Sequence, residues 1–281
     1  MEPIRIPNIR FNSELASTII ELERVRARLH QHTRTDPPLY DDLRKLFQNL
    51  SNIMSARIEG NRTTVLDALQ GVREGQSHDE GVQEILNLEK ASAYIDEAVT
   101  EEFIFTEMFI RELHALAVSG LNREGDTTPG SYRSTEVRIA QTAHRPPGPE
   151  SVSADMRELV EFMNESMSPQ YHLLQVAIVH HRFVWIHPFG NGNGRVSRLL
   201  TYAMLVKLGF TSASGYRALN PTVVFGSDRQ AYYEHLSIAD SLRDEDIEKW
   251  CLYVLHGVAS DMKNILDLSS SAFVLNELYG P

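Results

Sequence analysis

Apolar residues recur at spacings of three and four positions along most of this 281-residue chain. On an α-helix this spacing places the apolar side chains on one face, which must then be buried against another element. The pattern therefore predicts an all-α fold of about eight helices or more. Two such series near the N-terminus are Leu15, Ile19, Leu22, Val25 and Leu29, and Tyr40, Leu43, Phe47, Leu50 and Met54. Further helices are expected at about 79–98, 105–119, 153–166, 170–185, 194–208, 227–241 and 245–264.

Two of these helices begin at sequences that fit a capping box. In a capping box, side chains at the helix start satisfy backbone N–H groups that have no partner within the helix. Ser77 with Glu80 would start one helix in this way, and Ser227 with Gln230 would start another.

Residues 125–150 break the helical pattern with glycines, prolines and a brief alternation at Val137, Arg138 and Ile139. This composition predicts a long loop that carries a short β-hairpin. Long irregular segments in compact helical domains are often functional, and a surface loop without a role is the equal alternative.

Composition and charge exclude several classes of protein. The formal net charge of -11 would repel a phosphate backbone, so we expect no nucleic-acid partner. No apolar run is long enough to cross a membrane, and the first residues lack the apolar region of a secretory signal, so we expect a cytoplasmic protein without a membrane partner. The single cysteine, Cys251, rules out an internal disulfide and is expected to be buried. A soft boundary near residue 100 would separate an N-terminal helical region, 1–100, from a second domain, 101–281.

A glycine-rich stretch before one predicted helix has the features of an anion site. Gly190, Gly192 and Gly194 can turn sharply and bring backbone N–H groups against a ligand. Arg195 and Arg198 lie in the first turn of the helix, where the macrodipole disfavours cations unless an anion is held between them. The stretch therefore predicts a local phosphate site.

The known phosphate loops do not fit this stretch. No Lys-Ser/Thr pair follows the glycines, and the preceding apolar segment has a helical pattern, so neither a P-loop nor a dinucleotide fingerprint is present. His187 lies just before the glycines, where an imidazole can take a proton from an attacking hydroxyl near neutral pH.

The segment HPFGNGNGRVSR, residues 187–198, resembles the signature of the Fic family at every fixed position. GSYRSTEVRI is similar to the flap of that family, and DRQAYYEHLSIAD is similar to its downstream nucleotide-site helix, so the resemblance covers roughly residues 40–255. It implies the Fic fold and an enzyme that transfers AMP from ATP to a Tyr, Thr or Ser hydroxyl of a protein target.

The resemblance also implies a role for each matching residue. His187 would be the general base that activates the target hydroxyl, and Arg198 would reach the γ-phosphate of ATP. Val137, Arg138 and Ile139 of the flap would bind the target. The nucleotide-binding residues would be Gly190, Asn191, Gly192, Asn193, Gly194, Arg195, Arg198, Tyr233 and Asp240.

Asn191 departs from the pattern, because many active members of the family carry Asp or Glu there to bind Mg²⁺. Magnesium prefers anionic oxygen, so an amide oxygen would bind it more weakly. The resemblance implies Mg²⁺ as cofactor with Asn191 as its protein ligand, and it leaves self-modification and a homodimer open.

The segment SARIEGN, residues 55–61, resembles the inhibitory motif of the family, with Ser55, Glu59 and Gly60 at the matching positions. Glu59 is expected in the last turn of a helix that Gly60 ends, where the macrodipole disfavours a carboxylate. The resemblance implies that Glu59 pairs with Arg198 and blocks the place of the γ-phosphate.

Two alternatives to ATP-dependent transfer remain at this point. The same site could use another nucleotide donor or remove AMP from a modified protein, with Glu59 orienting water. The chain could instead be a catalytically weak interaction module whose nucleotide sets its conformation. The intact His187 argues against the second alternative, and Asn191 argues mildly for it.

Overall fold

The computed structural model describes residues 3–31, 38–75, 77–122, 128–139, 142–210 and 222–279. These ranges contain eleven α-helices, one short 3-10 helix and no β-strand, which confirms the all-α class. In chain order the α-helices are α1 (Glu14–Gln31), α2 (Pro38–Ile58), α3 (Val65–Glu74), α4 (Glu80–Ala98), α5 (Glu107–Ala117), α6 (Val152–Asn164), α7 (His172–Ile186), α8 (Asn193–Lys207), α9 (Thr222–Ser227), α10 (Arg229–Ala239) and α11 (Asp244–Tyr279).

The periodicity located nine of these helices and missed the two shortest, α3 and α9. Both predicted capping boxes are wrong by one or two residues, because an aspartate close to each serine takes its place. Asp79 accepts the N–H of Val82 at the start of α4, and Asp228 accepts the N–H of Ala231 at the start of α10. An aspartate carboxylate is an equally good N-cap and carries the charge that a helix N-terminus favours.

Helices α7 and α8 form the centre of the molecule and determine where the site lies. Helix α7 is buried on nearly all sides, between α6, α8 and α11, as expected for a helix that is apolar all round. Helix α8 is buried over most of its length and packs against α7 and α5. The loop between the two, residues 187–192, is therefore anchored at both ends in the core.

The N-terminal helices pack onto the same core. Helix α1 lies against α11, and α2 lies between α4 and α9 and touches α8. One cluster of buried hydrophobic side chains includes Leu22 of α1, Ile53 of α2 and Leu200 of α8. This packing places the end of α2 next to the beginning of α8. The boundary near residue 100 stays a prediction.

Between α5 and α6, the described residues form an extended loop. The hairpin predicted in it is absent from residues 128–139 and 142–151, the described part of the segment. The alternation at Val137–Ile139 reflects half-buried and exposed side chains on a single extended stretch rather than a strand with a partner. Cys251 is fully buried, as expected, and burial raises the pKa of its thiol. In the described residues, no helix is apolar over the length needed to span a membrane.

Candidate active site

His187 lies at the point where α7 ends. Its backbone N–H donates to the carbonyl of Phe183 at 3.0 Å, and its φ of 51° and ψ of 60° are those of the left-handed conformation. Residues other than glycine rarely adopt this conformation, since their Cβ crowds the backbone. Such backbone strain persists only where the surrounding structure enforces it, and it is concentrated at functional sites. The fold therefore enforces the placement of His187.

Hydrogen bonding determines which nitrogen of the His187 ring can accept a proton. Nδ1 lies 3.2 Å from the carbonyl oxygen of Val184. Because a carbonyl can only accept, Nδ1 carries the hydrogen and Nε2 keeps its lone pair. Burial lowers the pKa of the ring to about 4, against a weaker opposite effect of the Val184 carbonyl. The imidazole is therefore neutral at physiological pH, with Nε2 able to act as a base.

At two of the three loop glycines, a larger side chain would collide with neighbouring atoms. Gly192 is the N-cap of α8 with φ 66°, and a Cβ there would lie 2.8 Å from a methyl group of Val118. A Cβ at Gly194 would collide with the carboxylate of Glu59. At Gly190 a Cβ would meet no atom within 4 Å, so space alone does not require glycine. Where the loop enters α8, there is thus no room for a side chain at Gly192 or Gly194.

The two asparagines of the loop lie in different surroundings. Asn193 is 2% exposed, and its amide accepts the N–H of Phe189 at 3.0 Å and donates to the carbonyl of Phe189 at 2.9 Å. The Asn193 amide therefore closes the loop on itself, and its contact with phosphate stays a prediction. Asn191 is half-buried, and its Oδ1 is enclosed by protein atoms. Its role as metal ligand also stays a prediction.

Arg195 is held by a carboxylate from α4. Its Nη1 donates to Oε1 of Glu84 at 3.1 Å, and 1% of the Arg195 side chain and 11% of the Glu84 side chain are exposed. Oε2 of Glu84 in turn accepts from the amide of Asn61 at 2.8 Å. Removal of one partner of a buried ion pair is costly, because the other charge stays buried. The Glu84 carboxylate therefore fixes the position of the first motif arginine.

Arg198 is held by the end of α2. Its Nε donates to Oγ of Ser55 at 2.9 Å, and its Nη2 donates to the Ser55 carbonyl at 3.1 Å and to Oε1 of Glu59 at 2.7 Å. Nη1 of Arg198 has no hydrogen-bond partner within the described ranges. Helix α2 ends at Ile58, one residue before Glu59, and Gly60 follows with φ 100°. Ser55 and Glu59 thus bind the second motif arginine, and Gly60 shapes the turn beside them.

The charges of this pair stabilise each other. Burial acts to raise the pKa of Glu59, but the charges of Arg198 and Arg195 and the hydrogen bond from Arg198 hold that pKa below its ordinary value. Burial acts to lower the pKa of Arg198, and Glu59 outweighs it, so the pKa of Arg198 is raised. A buried guanidinium would be costly without such a partner. A ligand that takes Arg198 must therefore replace the negative charge of Glu59.

The two predicted adenosine contacts lie on α10. The Asp240 carboxylate ends α10 and is already engaged: Oδ1 lies 3.2 Å from Nε2 of His181, and Oδ2 accepts from the Thr142 hydroxyl at 3.1 Å. Tyr233 is half-buried, and the guanidinium carbon of Arg229 lies 5.5 Å from its ring centroid. Contact of either residue with a nucleotide stays a prediction.

The flap segment runs as an extended chain beside the site. Arg138 is exposed, and Val137 and Ile139 are half-buried. Among the described residues, the backbone of 136–139 makes no hydrogen bond. These N–H and C=O groups are the kind of edge to which an extended peptide can pair.

Sequence reasoning missed two buried charged residues that shape the site, Glu84 and Arg133. Glu84 lies within the apolar pattern of the helix predicted at 79–98, and a carboxylate at such a position signals a buried cationic partner. Arg133 belongs to the flap segment GSYRSTEVRI, and its guanidinium donates to the carbonyl of His187 at 2.7 Å. Both contacts join segments far apart in sequence, so no local pattern predicts them.

Comparison with known proteins gives a consistent result. The model of the Fic/DOC family matches residues 104–205. "Protein adenylyltransferase Fic" of Drosophila grimshawi is 32% identical over 194 residues, which is 66% of this chain and 37% of that protein. The protein of the same name from Drosophila melanogaster is 31% identical over 194 residues, 66% of this chain and 36% of that protein. The chain thus spans little more than a third of the length of these curated relatives.

Two solved structures share the fold. A Fic family protein from Desulfovibrio desulfuricans G20 superposes with a TM-score of 0.74 at 22% identity, covering 94% of this chain and 77% of that chain. Fic-1 from C. elegans, residues 134 to 508, superposes with a TM-score of 0.72 at 18% identity, covering 92% of this chain and 73% of that chain. The match of the Fic/DOC model to residues 104–205, which include the motif at 187–198, places this part of the chain in the Fic/DOC family.

Proposed function

We propose that this protein transfers AMP from ATP to a hydroxyl of a protein target, and that Glu59 restrains the reaction by holding Arg198. The observation that carries the proposal is the convergence at the α7–α8 junction. A neutral histidine with its Nε2 lone pair available lies next to a narrow glycine turn and two buried arginines. The names of the relatives, all protein adenylyltransferases, support the same reaction.

His187 would act on the incoming hydroxyl. Nε2 takes the hydroxyl proton, the oxygen forms a bond to the α-phosphorus of ATP, and the bond between that phosphorus and the bridging oxygen of pyrophosphate breaks. Because Val184 holds the proton on Nδ1, the ring does not need to change tautomer before it acts. Nucleotidyl transfer depends mainly on positioning and on stabilisation of charge, so one base and a fixed phosphate site are sufficient protein chemistry.

The two arginines would serve different phosphates. Arg195 is held by Glu84 and lies close to the Gly192 turn, which suits a fixed contact beside the loop. Arg198 is held by Glu59, whose side chain is 31% exposed and can move without unfolding of the core. The γ-phosphate of ATP carries the negative charge that could replace that carboxylate. ATP would therefore bind productively only when Glu59 leaves Arg198.

Magnesium would be held largely by the nucleotide. The described residues contain no group of three or more His, Cys, Asp or Glu side chains that could hold a metal ion alone. Asn191 would offer one amide oxygen from its half-buried side chain in the loop, and Mg²⁺ commonly binds through one or two protein oxygens plus phosphates and water. The residues present fit such a shared site, in which the metal neutralises phosphate charge.

The finer parts of the proposal follow from the resemblance and the site. Val137, Arg138 and Ile139 would bind the backbone of the target, and Tyr233 and Asp240 would lie near the adenosine. Self-modification and a homodimer are also proposed, as is a cytoplasmic location.

Transfer assays with a purified Glu59→Gly variant test this function. The variant is incubated with a lysate and ATP labelled on its α-phosphate, and in parallel with labelled CTP, GTP and UTP. We expect labelled protein with ATP, and loss of about a hundredfold to ten-thousandfold in rate when His187→Ala is added. Nucleotide binding by the His187→Ala variant should be retained, because the imidazole acts on the hydroxyl.

Other outcomes identify the alternatives. Stronger labelling with a different nucleotide would replace ATP as the donor. Release of AMP from a pre-labelled target by the wild type, without transfer by Glu59→Gly, would indicate removal of AMP. Nucleotide binding with neither activity would indicate an interaction module and contradict the proposed function.

A further inference from the structure

Arg133 lies in the flap segment and is buried, with 7% of its surface exposed. It donates Nε to the carbonyl of His187 at 2.7 Å, Nη1 to that of Thr135 at 3.1 Å, and Nη2 to that of Ile186 at 3.3 Å. Nη2 also donates to the carbonyl of Pro147. Its backbone N–H donates to the carbonyl of Pro188 at 2.9 Å. Arg133 therefore donates hydrogen bonds to three successive backbone carbonyls, those of Ile186, His187 and Pro188.

No carboxylate among the described residues forms an ion pair with this guanidinium. Burial lowers the pKa of Arg133, and Glu150, Asp155 and Glu136 oppose this only from a distance. The positive charge is offset instead by carbonyl oxygens, two of them at the C-terminal end of α7. The last carbonyls of a helix have no partner within the helix and carry its negative end, so a cation is favoured there.

The same contacts hold the strained backbone of His187. With φ 51° and ψ 60°, His187 turns its carbonyl out of the helix, and Nε of Arg133 is the donor that this carbonyl meets. A lysine could not replace these contacts, because one ammonium group lacks the planar fork that reaches several carbonyls at once. Loss of the fork would allow His187 to relax towards ordinary backbone angles.

Arg133 also connects the base to the flap. It lies four residues before Val137, and its backbone contact with Pro188 ties the start of the extended stretch to the motif loop. The extended edge that is proposed to bind the target is therefore attached to the same backbone that carries the His187 imidazole.

We propose that Arg133 is a positioning residue for the reaction: it locks the left-handed turn at His187 and sets the distance between the flap edge and the base. This inference rests on the proposed function. A displacement of the base of about 1 Å can cost on the order of a hundredfold in rate. The effect should appear in kcat and not in nucleotide binding, because Arg133 touches none of the predicted phosphate contacts.

Arg133→Lys and Arg111→Lys are compared in the Glu59→Gly background. Arg111 is the matched control: it also donates to a flap carbonyl, that of Gly130, and its guanidinium lies 5.7 Å from the ring centroid of Tyr132, but it does not contact the motif loop. We expect Arg133→Lys to lower kcat on the order of a hundredfold with the Kd for ATP unchanged, and Arg111→Lys to retain the parent's kcat. Equal losses in the two variants, or no loss in Arg133→Lys, would overturn the proposal.

A second readout does not depend on activity. In protein labelled with ¹³C-histidine, the His187 resonance is assigned by its loss in His187→Ala. Arg133→Lys, or Arg133→Gln if the lysine variant does not unfold cooperatively, should shift this resonance, and Arg111→Lys should leave it in place. An unshifted His187 resonance in the Arg133 variant contradicts the proposal. If the Glu59→Gly parent transfers no AMP, the proposed function fails, and the resonance alone decides the role of Arg133.

Discussion

Arg198 lies 143 residues after Ser55 and 139 after Glu59, and it binds both with a single guanidinium. The carboxylate accepts from Nη2 at 2.7 Å, and the serine hydroxyl accepts from Nε at 2.9 Å. The end of α2 thus holds Arg198 by a charged contact with Glu59, which a phosphate can imitate, and by a neutral contact with the Ser55 hydroxyl. The two contacts can be separated by mutation.

Ser55→Ala should activate transfer, but less than Glu59→Gly. The substitution removes one hydrogen bond to a charged group and leaves the carboxylate in place. Such a bond contributes about 1.5–3 kcal/mol, which corresponds to roughly tenfold to somewhat over a hundredfold in an equilibrium. Initial rates of labelling from ATP measure the effect. Ser51→Ala, a buried serine one turn earlier on α2, is the control and should match the wild type. Equal rates for Ser55→Ala and the wild type would mean that Glu59 alone holds Arg198.

The flap should bind its target through main-chain groups. Val137→Pro removes an N–H from the extended stretch that has no partner in the described structure, and we expect it to abolish modification of a protein target. Val137→Ala keeps the N–H and should retain most of the activity. The rate of target labelling by each variant, in the Glu59→Gly background, makes the comparison. Full activity of the proline variant with folding preserved would exclude recognition along this edge.

Acid should destabilise the fold through His180. Its ring is fully buried, with Nδ1 2.8 Å from the Thr201 hydroxyl and Nε2 2.9 Å from the Tyr232 hydroxyl, and burial lowers its pKa well below the ordinary value. The unfolded chain therefore binds a proton that the folded chain does not, and stability falls as the pH drops through the unfolded pKa. Between pH 6.5 and 5.5 one such histidine removes about 1 kcal/mol from the free energy of unfolding.

Urea unfolding at pH 7.5, 6.5 and 5.5 tests this prediction. The wild type should lose more stability over that range than His180→Gln, whatever the stability of the variant at pH 7.5. Parallel pH dependence of the two proteins would mean that His180 becomes protonated within the fold.

The sequence predicts those parts of the molecule in which the signal is local. The 3.6-residue period located the long helices, and the motif at 187–198 indicated the phosphate site, because a glycine turn and a helix start are adjacent in the chain. Helix α3 was missed although its signals are local as well: Thr64 caps it through the N–H of Asp67, and Gly75 ends it. Its apolar residues Val65, Ala68, Leu69 and Val72 also recur at helical spacing, so the sequence contained enough to predict it.

Contacts between distant segments could not be predicted without a family pattern. The pairing of Glu59 with Arg198 was expected from the resemblance, and in the structure Oε1 of Glu59 lies 2.7 Å from Nη2 of Arg198. Glu84 with Arg195 is 111 residues apart, and Arg133 with His187 is 54 residues apart, and neither pair has a local signature. The loop between α5 and α6 likewise could not be predicted from its local sequence. Its alternation at Val137–Ile139 resembles a strand, but a strand requires a partner that only the three-dimensional structure can supply or withhold.

Restraint of AMP transfer by Glu59 is tested most directly by a double-mutant cycle on Glu59 and Arg198. Self-labelling and target labelling from ATP are measured for the wild type, Glu59→Gly, Arg198→Ala and the double variant. If the carboxylate restrains the reaction by occupying Arg198, Glu59→Gly raises the rate strongly and the double variant returns towards the inactive level, a non-additive result expected of residues in contact. Equal rates for the wild type and Glu59→Gly would contradict the account and leave the pair as a structural ion pair at the end of α2.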